Sequence, residues 1–213
     1  MTLGIMVEIL PGILEKTFAG VEEKLARLEG LVDCAQLDVV DGIFAPEESW
    51  QDAEDLDGLE TGVKFDLHLM VDRPEQWIEE WSKDSIFRIT FHHEATYDVR
   101  RTARIIKDAG KEAGLALKLE TPTRALLDIA NDIDLVLLMS IEPGAQGRPF
   151  DPRVIDRVKE IKSKHPNLSV GVDGGVTALT APGLVEAGVD MMVSGSYLFG
   201  HEDIKEAIKS LQS

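Results

Sequence analysis

Eight short apolar runs, separated by stretches that are amphipathic and charged, constrain this chain more than any other feature. The runs are Val7 to Leu10, Ala35 to Val40, Lys64 to Met70, Phe87 to His92, Gly114 to Leu119, Leu135 to Ser140, Ser169 to Asp173 and Met191 to Ser194. Runs of Val, Ile and Leu this short suit strands buried on both faces, and the intervening segments carry the 3.6-residue periodicity of covering helices. Helices are expected at Thr17 to Leu28, Pro74 to Trp81, Asp98 to Ala113, Thr123 to Ile129, Pro152 to Lys164, Leu179 to Ala187 and Glu202 to Leu211. Prolines at 74 and 152 suit a first helical turn, and Gly30, Gly114 and Gly188 fall where helices should stop. Ile43 to Thr61 is acidic and aperiodic, and reads as a long loop at the site with at most a short helix.

Two α/β architectures use such units: an open doubly wound sheet and the closed (β/α)8 TIM barrel. Eight units favour the barrel, and 213 residues lie near its lower size limit. A single domain over residues 1–213 is expected, with a core of ordinary size.

The formal net charge of −17 disfavours a nucleic-acid partner and offers nothing to an anionic membrane. An anionic substrate must then be gripped by local backbone dipoles. The one cysteine, Cys34, excludes an internal disulfide and a cysteine-ligated zinc site, which fits a reducing compartment. MTLGIMVEIL lacks the basic flank of a secretory signal, and no apolar run is long enough to span a membrane. A cytoplasmic protein is expected.

In either architecture, reactive groups belong at the C-terminal ends of the strands. QLDVVDG brings Asp38 there, FDLHLM brings His68, and VGVDGG brings Asp173. Period-two alternation puts Gln36, Asp38 and Val40 on one face, with Leu37 and Val39 turned to the helices and Asp41 pointing away. On the next strand Asp66, His68 and Met70 share a face. A carboxylate among Val and Leu is costly to bury unless paired, hydrogen-bonded or metal-bound. Two carboxylates and an imidazole suit a divalent ion such as Zn, Mn or Fe(II). His92 should also face inward, beside Thr90, where contact with the substrate or with the groups around it and a purely structural role are both open. Glycine-bearing turns follow strands six, seven and eight: EPGAQGRPF, DGGV and SGSYLF. At these strands of a barrel, backbone N–H groups commonly hold phosphate. Arg148 either adds a charge there or is an ordinary surface arginine.

The chain resembles the ribulose-phosphate 3-epimerase family along nearly its whole length. PGIL, LDVVDGIFAP, FDLHLMVDRPEQWI, ITFHHEA, GLALKLETP, LVLLMSIEPGAQGRPF, VDGGVTALTAPGLVEAGVD and VSGSYLF carry the likeness in order. The resemblance implies a divalent metal held by two histidines and two aspartates, the aspartates doubling as acid and base on opposite faces of a ketose phosphate. By position, Asp38 and Asp173 match the catalytic pair, and Asp38, His68 and Asp173 match metal ligands. Met70 and Met139 match methionines lining the site. Gly144, Gly147, Gly174, Gly175, Gly195 and Ser196 match the phosphate loops.

Four positions depart from the family pattern: Gln36 replaces its first metal-binding histidine, Gly12 a serine, Val40 a methionine and Gln146 a glycine. A glutamine carbonyl binds hard ions but is a poorer ligand for zinc, which shifts the expected metal toward Mg or Mn. The activity implied is interconversion of D-ribulose 5-phosphate and D-xylulose 5-phosphate through a metal-stabilised enediolate. Two alternatives stand beside it: an epimerase of another ketose phosphate, such as a hexulose 6-phosphate, and a non-catalytic phosphosugar-binding barrel. A small phosphorylated ketose is the expected partner, and a homo-oligomer the expected assembly.

Overall fold

A computed structural model of the chain describes residues 7–144 and 147–212. Eight parallel strands close on themselves in sequence order: β1 (Glu8–Ile13), β2 (Cys34–Val40), β3 (Lys64–Met70), β4 (Ile86–His92), β5 (Glu112–Leu117), β6 (Leu135–Met139), β7 (Ser169–Asp173) and β8 (Met191–Ser194). The helices are α1 (Phe18–Ala26), α2 (Ile78–Trp81), α3 (Val99–Asp108), α4 (Arg153–Lys164), α5 (Ala181–Ala187), α6 (Ser196–Phe199) and α7 (Ile204–Leu211). The fold is a (β/α)8 TIM barrel. Two connections are reduced to 3-10 turns: Ala53–Gly58 after β2, within the acidic segment, and Thr123–Leu126 after β5.

Alternation on the strands sorts the apolar side chains into two cores. Leu37, Val39, Leu67, Leu69, Ile89 and Phe91 face outward and pack in the layer shared with the helices. Leu10, Ala116, Leu135, Leu137, Met139, Met191 and Val193 fill the interior of the barrel. The tube is closed below by charge: Arg88 Nε and Nη2 donate to Asp66 Oδ2 at 2.9 and 2.7 Å, and Thr90 donates to Asp66 Oδ1 at 3.1 Å. Asp66 is fully buried, and this fork of donors satisfies a carboxylate that would otherwise be costly there.

Two expectations are corrected. The helix expected at Asp98 to Ala113 ends at Asp108, because Gly110 takes φ +76° and the Lys111 N–H bonds back to the Ile106 carbonyl, closing the helix end. Gly114 is therefore no helix stop. It lies inside β5, where a Cβ would come 2.2 Å from Thr90 Oγ1. The first strand runs on through Pro11 and Gly12 to Ile13, past its expected end at Leu10. Gly12 pairs with Gln36 and Pro11 with Ser194, so neighbouring strands on both sides override the two breakers.

Candidate active site

Register places the chemistry. Asp38 on β2 lies beside His68 on β3, which lies beside Thr90 on β4, while Asp173 on β7 pairs with Met139 and Val193. Asp38, His68 and Asp173 gather at the upper end of the barrel, where the strands terminate. Asp41, turned outward as the alternation requires, caps the following turn: its Oδ1 accepts from the N–H groups of Ile43 and Phe44, and its Oδ2 from that of Asp72.

One side-chain amide ties the centre together. Gln36 Nε2 donates to Asp38 Oδ1 at 2.9 Å and to Asp173 Oδ2 at 2.8 Å, and lies 3.3 Å from His68 Nδ1. His68 Nδ1 is 3.0 Å from Asp38 Oδ1 and 3.4 Å from Asp173 Oδ2. Gln36 and His68 are fully buried, while Asp38 and Asp173 reach the cleft above them. The other end of the Gln36 amide, Oε1, is buried and has no hydrogen-bond partner among the described residues.

Burial lifts the Asp38 carboxyl above the usual carboxylate range, and the neighbouring charge of Asp173 adds to the lift against hydrogen bonds from His68 and Gln36. Burial alone would push the His68 imidazolium down, but the two carboxylates outweigh it and carry its pKa up. On its far side His68 Nε2 is 3.0 Å from His92 Nε2, and His92 Nδ1 is 3.4 Å from Glu94 Oε2. Burial brings His92 down to about 4, the Glu94 carboxylate 3.4 Å away opposing and the His68 charge adding. Neutral His92 therefore accepts at Nε2 from His68 and keeps its own proton on Nδ1, toward Glu94. Burial also works against the Glu94 carboxylate, but the neighbouring His92 ring and hydrogen bonds from Thr121 and the Lys118 N–H bring its pKa down to about 2.

The cleft above is lined by Asp38, Asp173, Met70, Met139, Gly144, Gly147, Gly174, Gly175, Gly195 and Ser196, so these expected site residues meet in one place. Gly12, Leu14, Ile141, Pro143, Val176 and Val193 complete the lining. Arg148 is exposed and does not line the cleft, and Gln146 lies outside the described residues. Val40 packs with Ala45 and Met70 at the rim. Glu94 was not evident from sequence. Its only signal is its place two residues beyond an inward histidine.

Asp38, His68 and Asp173 offer donor atoms that all lie within 4.8 Å of one another. Two carboxylate oxygens and an imidazole nitrogen fit a divalent cation. The unpartnered Oε1 of Gln36, an acceptor lacking a donor beside this group, adds to that fit.

A barrel with paired carboxylates beside an imidazole, under a cleft ringed by glycine turns after β6, β7 and β8, defines a phosphosugar-binding (β/α)8 enzyme class. The family description "Ribulose-phosphate 3 epimerase family" matches residues 8–199. The chain belongs to that family. The ribulose-phosphate 3-epimerase of Bacillus subtilis is 34% identical over 97% of this chain and 99% of its own. That of Mycobacterium tuberculosis is 35% identical, covering 96% of this chain and 91% of its own. Among solved structures, 3-hexulose-6-phosphate synthase from Salmonella typhimurium superposes with a TM-score of 0.66 at 17% identity, over 97% of both chains. A mutant tryptophan synthase α-subunit from Pyrococcus furiosus gives 0.68 at 14%, over 99% of both. These two share the fold.

Proposed function

We propose that this chain is a ribulose-phosphate 3-epimerase, interconverting D-ribulose 5-phosphate and D-xylulose 5-phosphate with Asp38 and Asp173 as acid and base. One observation carries the reading: two carboxylates from strands on different sides of the barrel, β2 and β7, converge on one amide at 2.9 and 2.8 Å while both line the same cleft. Inverting a carbon beside a ketone means taking a proton from one face and returning one to the other. A single base cannot readily reach both.

The ionised carboxylate takes the proton from C3, and the electron pair moves into the C2 carbonyl to give a planar enediolate. The other carboxyl, protonated, delivers its proton to the opposite face, and the two exchange roles for the reverse direction. The raised pKa of Asp38 favours it as the group that holds the proton. Without an ion, Gln36 holds both carboxylates in place by donating to each. Met70, Met139, Leu14 and Val193 keep water from the planar fragment, and the glycine turns at Gly144, Gly147, Gly174, Gly175, Gly195 and Ser196 receive the phosphate. Asp38, His68 and Asp173 would hold a divalent ion, through Nδ1 in the case of His68, with Gln36 beside them as a further ligand. Such an ion, when bound, supplies positive charge against the negative charge developing on the substrate oxygens.

Asp38→Asn and Asp173→Asn should each lower kcat by about 10²–10⁴-fold, the usual worth of a positioned acid or base. Solvent deuterium should no longer enter C3 at the native rate. A variant with near-native turnover removes that residue from the pair.

A second reading concerns the sugar end. At position 12 a Cβ would lie 3.1 Å from Val193 Cγ1, so the serine of the family pattern would be tight there and the cleft is wider without it. That favours tolerance of longer ketose phosphates, and a panel of pentulose and hexulose phosphates compared by kcat/KM tests it. The free, half-buried Cys34 fits the cytoplasm as the site of action. A closed homo-oligomer is the assembly we assign, checked by mass in solution.

A further inference from the structure

The amide of Gln36 has two ends with opposite circumstances. Its Nε2 lies in the middle of the acid, base and imidazole group, at 2.9 Å from Asp38, 2.8 Å from Asp173 and 3.3 Å from His68 Nδ1. Its Oε1 is buried and accepts from no donor among the described residues. An amide has two N–H bonds, and two carboxylates take both. The nitrogen thus sits among the same three donor atoms that are spaced to hold a cation. A buried acceptor without a donor is disfavoured, so the present orientation is bought at a cost on one side of the amide by the two charge-assisted bonds on the other.

Turning the amide over exchanges the ends. Oε1 would then face two carboxylates, which repels, unless a cation stands between them, in which case the same oxygen becomes a further ligand. The terminal amide torsion has a broad energy profile, so the turn itself meets little resistance. From these opposed preferences, and resting on the reading of this site as one that takes a divalent ion, we infer that Gln36 is a reversible stand-in for the ion. Its NH2 group bridges Asp38 and Asp173 when no ion is held, and it turns to present Oε1 when one enters. The ion must displace two hydrogen bonds in order to bind, and this coupling weakens its affinity while keeping the carboxylates aligned without it.

The test uses the intact protein with Zn²⁺ or Mn²⁺ alone. Gln36→Glu keeps the shape and offers oxygen at both ends, so no N–H bonds compete. Its affinity by calorimetry should rise at least about tenfold, within the range that groups around a metal centre command. The native Gln36 side-chain NH2 resonances, identified by their absence in the Gln36→Glu spectrum, should shift on titration with Zn²⁺ as the bonds to Asp38 and Asp173 are lost. Affinity in Gln36→Glu equal to or below native overturns the inference, and so do native NH2 resonances that stay put while Zn²⁺ binds. If the added carboxylate prevents folding, Gln36→His supplies the missing-resonance assignment and the native titration decides alone. Should native protein bind the ion, and Asp173→Asn abolish that binding, with the amide unmoved, only the inference fails. Should no ion bind at this site in any form, the metal reading of the enzyme fails along with it.

Discussion

A buried histidine is useful only if its proton is on the correct nitrogen, and here that choice is made two side chains away. The Glu94 carboxylate, 3.4 Å from His92 Nδ1, favours the His92 proton on that nitrogen, so that His92 Nε2 accepts from His68 and His68 Nδ1 faces Asp38 and Asp173. Glu94 has a folded pKa of about 2 against an ordinary 4.5. Its stabilising contribution is thus fully present above pH 4.5 and is lost as pH falls through about 2. Glu94→Gln should cost about 0.5–1.5 kcal/mol near neutrality, the usual net worth of a hydrogen bond lost where water can replace it. The gap between native and variant, read from denaturant midpoints across the acid range, should close as pH approaches 2. A gap independent of pH would exclude an ionised Glu94 from this role.

Among the elements, the turn after β7 is the most constrained by its neighbours. Gly175 takes φ +60°, and a Cβ there would lie 2.9 Å from the backbone of Phe150 in the turn after β6. Gly175→Ala therefore demands both a strained backbone and a displaced neighbouring loop, worth about 1–3 kcal/mol. We expect a lower Tm and a raised KM for the phosphorylated ketose, measured against inorganic phosphate as a competing ligand; unchanged phosphate inhibition would remove this turn from the phosphate grip. Much of this level was legible in the sequence. Period-two alternation on β2, β3 and β4 places Asp38, His68 and His92 on the inner face without any coordinates, because a buried strand has only two faces. Glycine and proline misled. Gly114 reads as a helix stop and the first run ends at Leu10, short of Pro11 and Gly12, but barrel closure holds all three in strands, where glycine answers a packing need against Thr90 and Val193. The orientation of the Gln36 amide was not legible, since it is decided by partners on β3 and β7 that are remote in sequence.

The whole molecule carries a formal charge of −17 and handles an anion. Its general field opposes the approach of a sugar phosphate, and on the proposed reading the local dipoles of the glycine turns overcome it. Raising ionic strength from a few millimolar to about 0.15 M shortens the screening length to about 8 Å. KM for the phosphorylated ketose should fall while kcat stays level, the reverse of the salt response of a basic enzyme. A KM that rises with salt would place net positive potential at the mouth.

The salt-bridged floor of Asp66 and Arg88 makes the reaction chamber a blind well. Among the described residues the cleft lining lies at the C-terminal ends of the strands, so sugar, leaving product and any proton traded with water would use that mouth. A bound ketose therefore stoppers the chamber that contains it. The fraction of isotopic label that survives each turnover becomes a gauge of how tightly the sugar plugs the mouth.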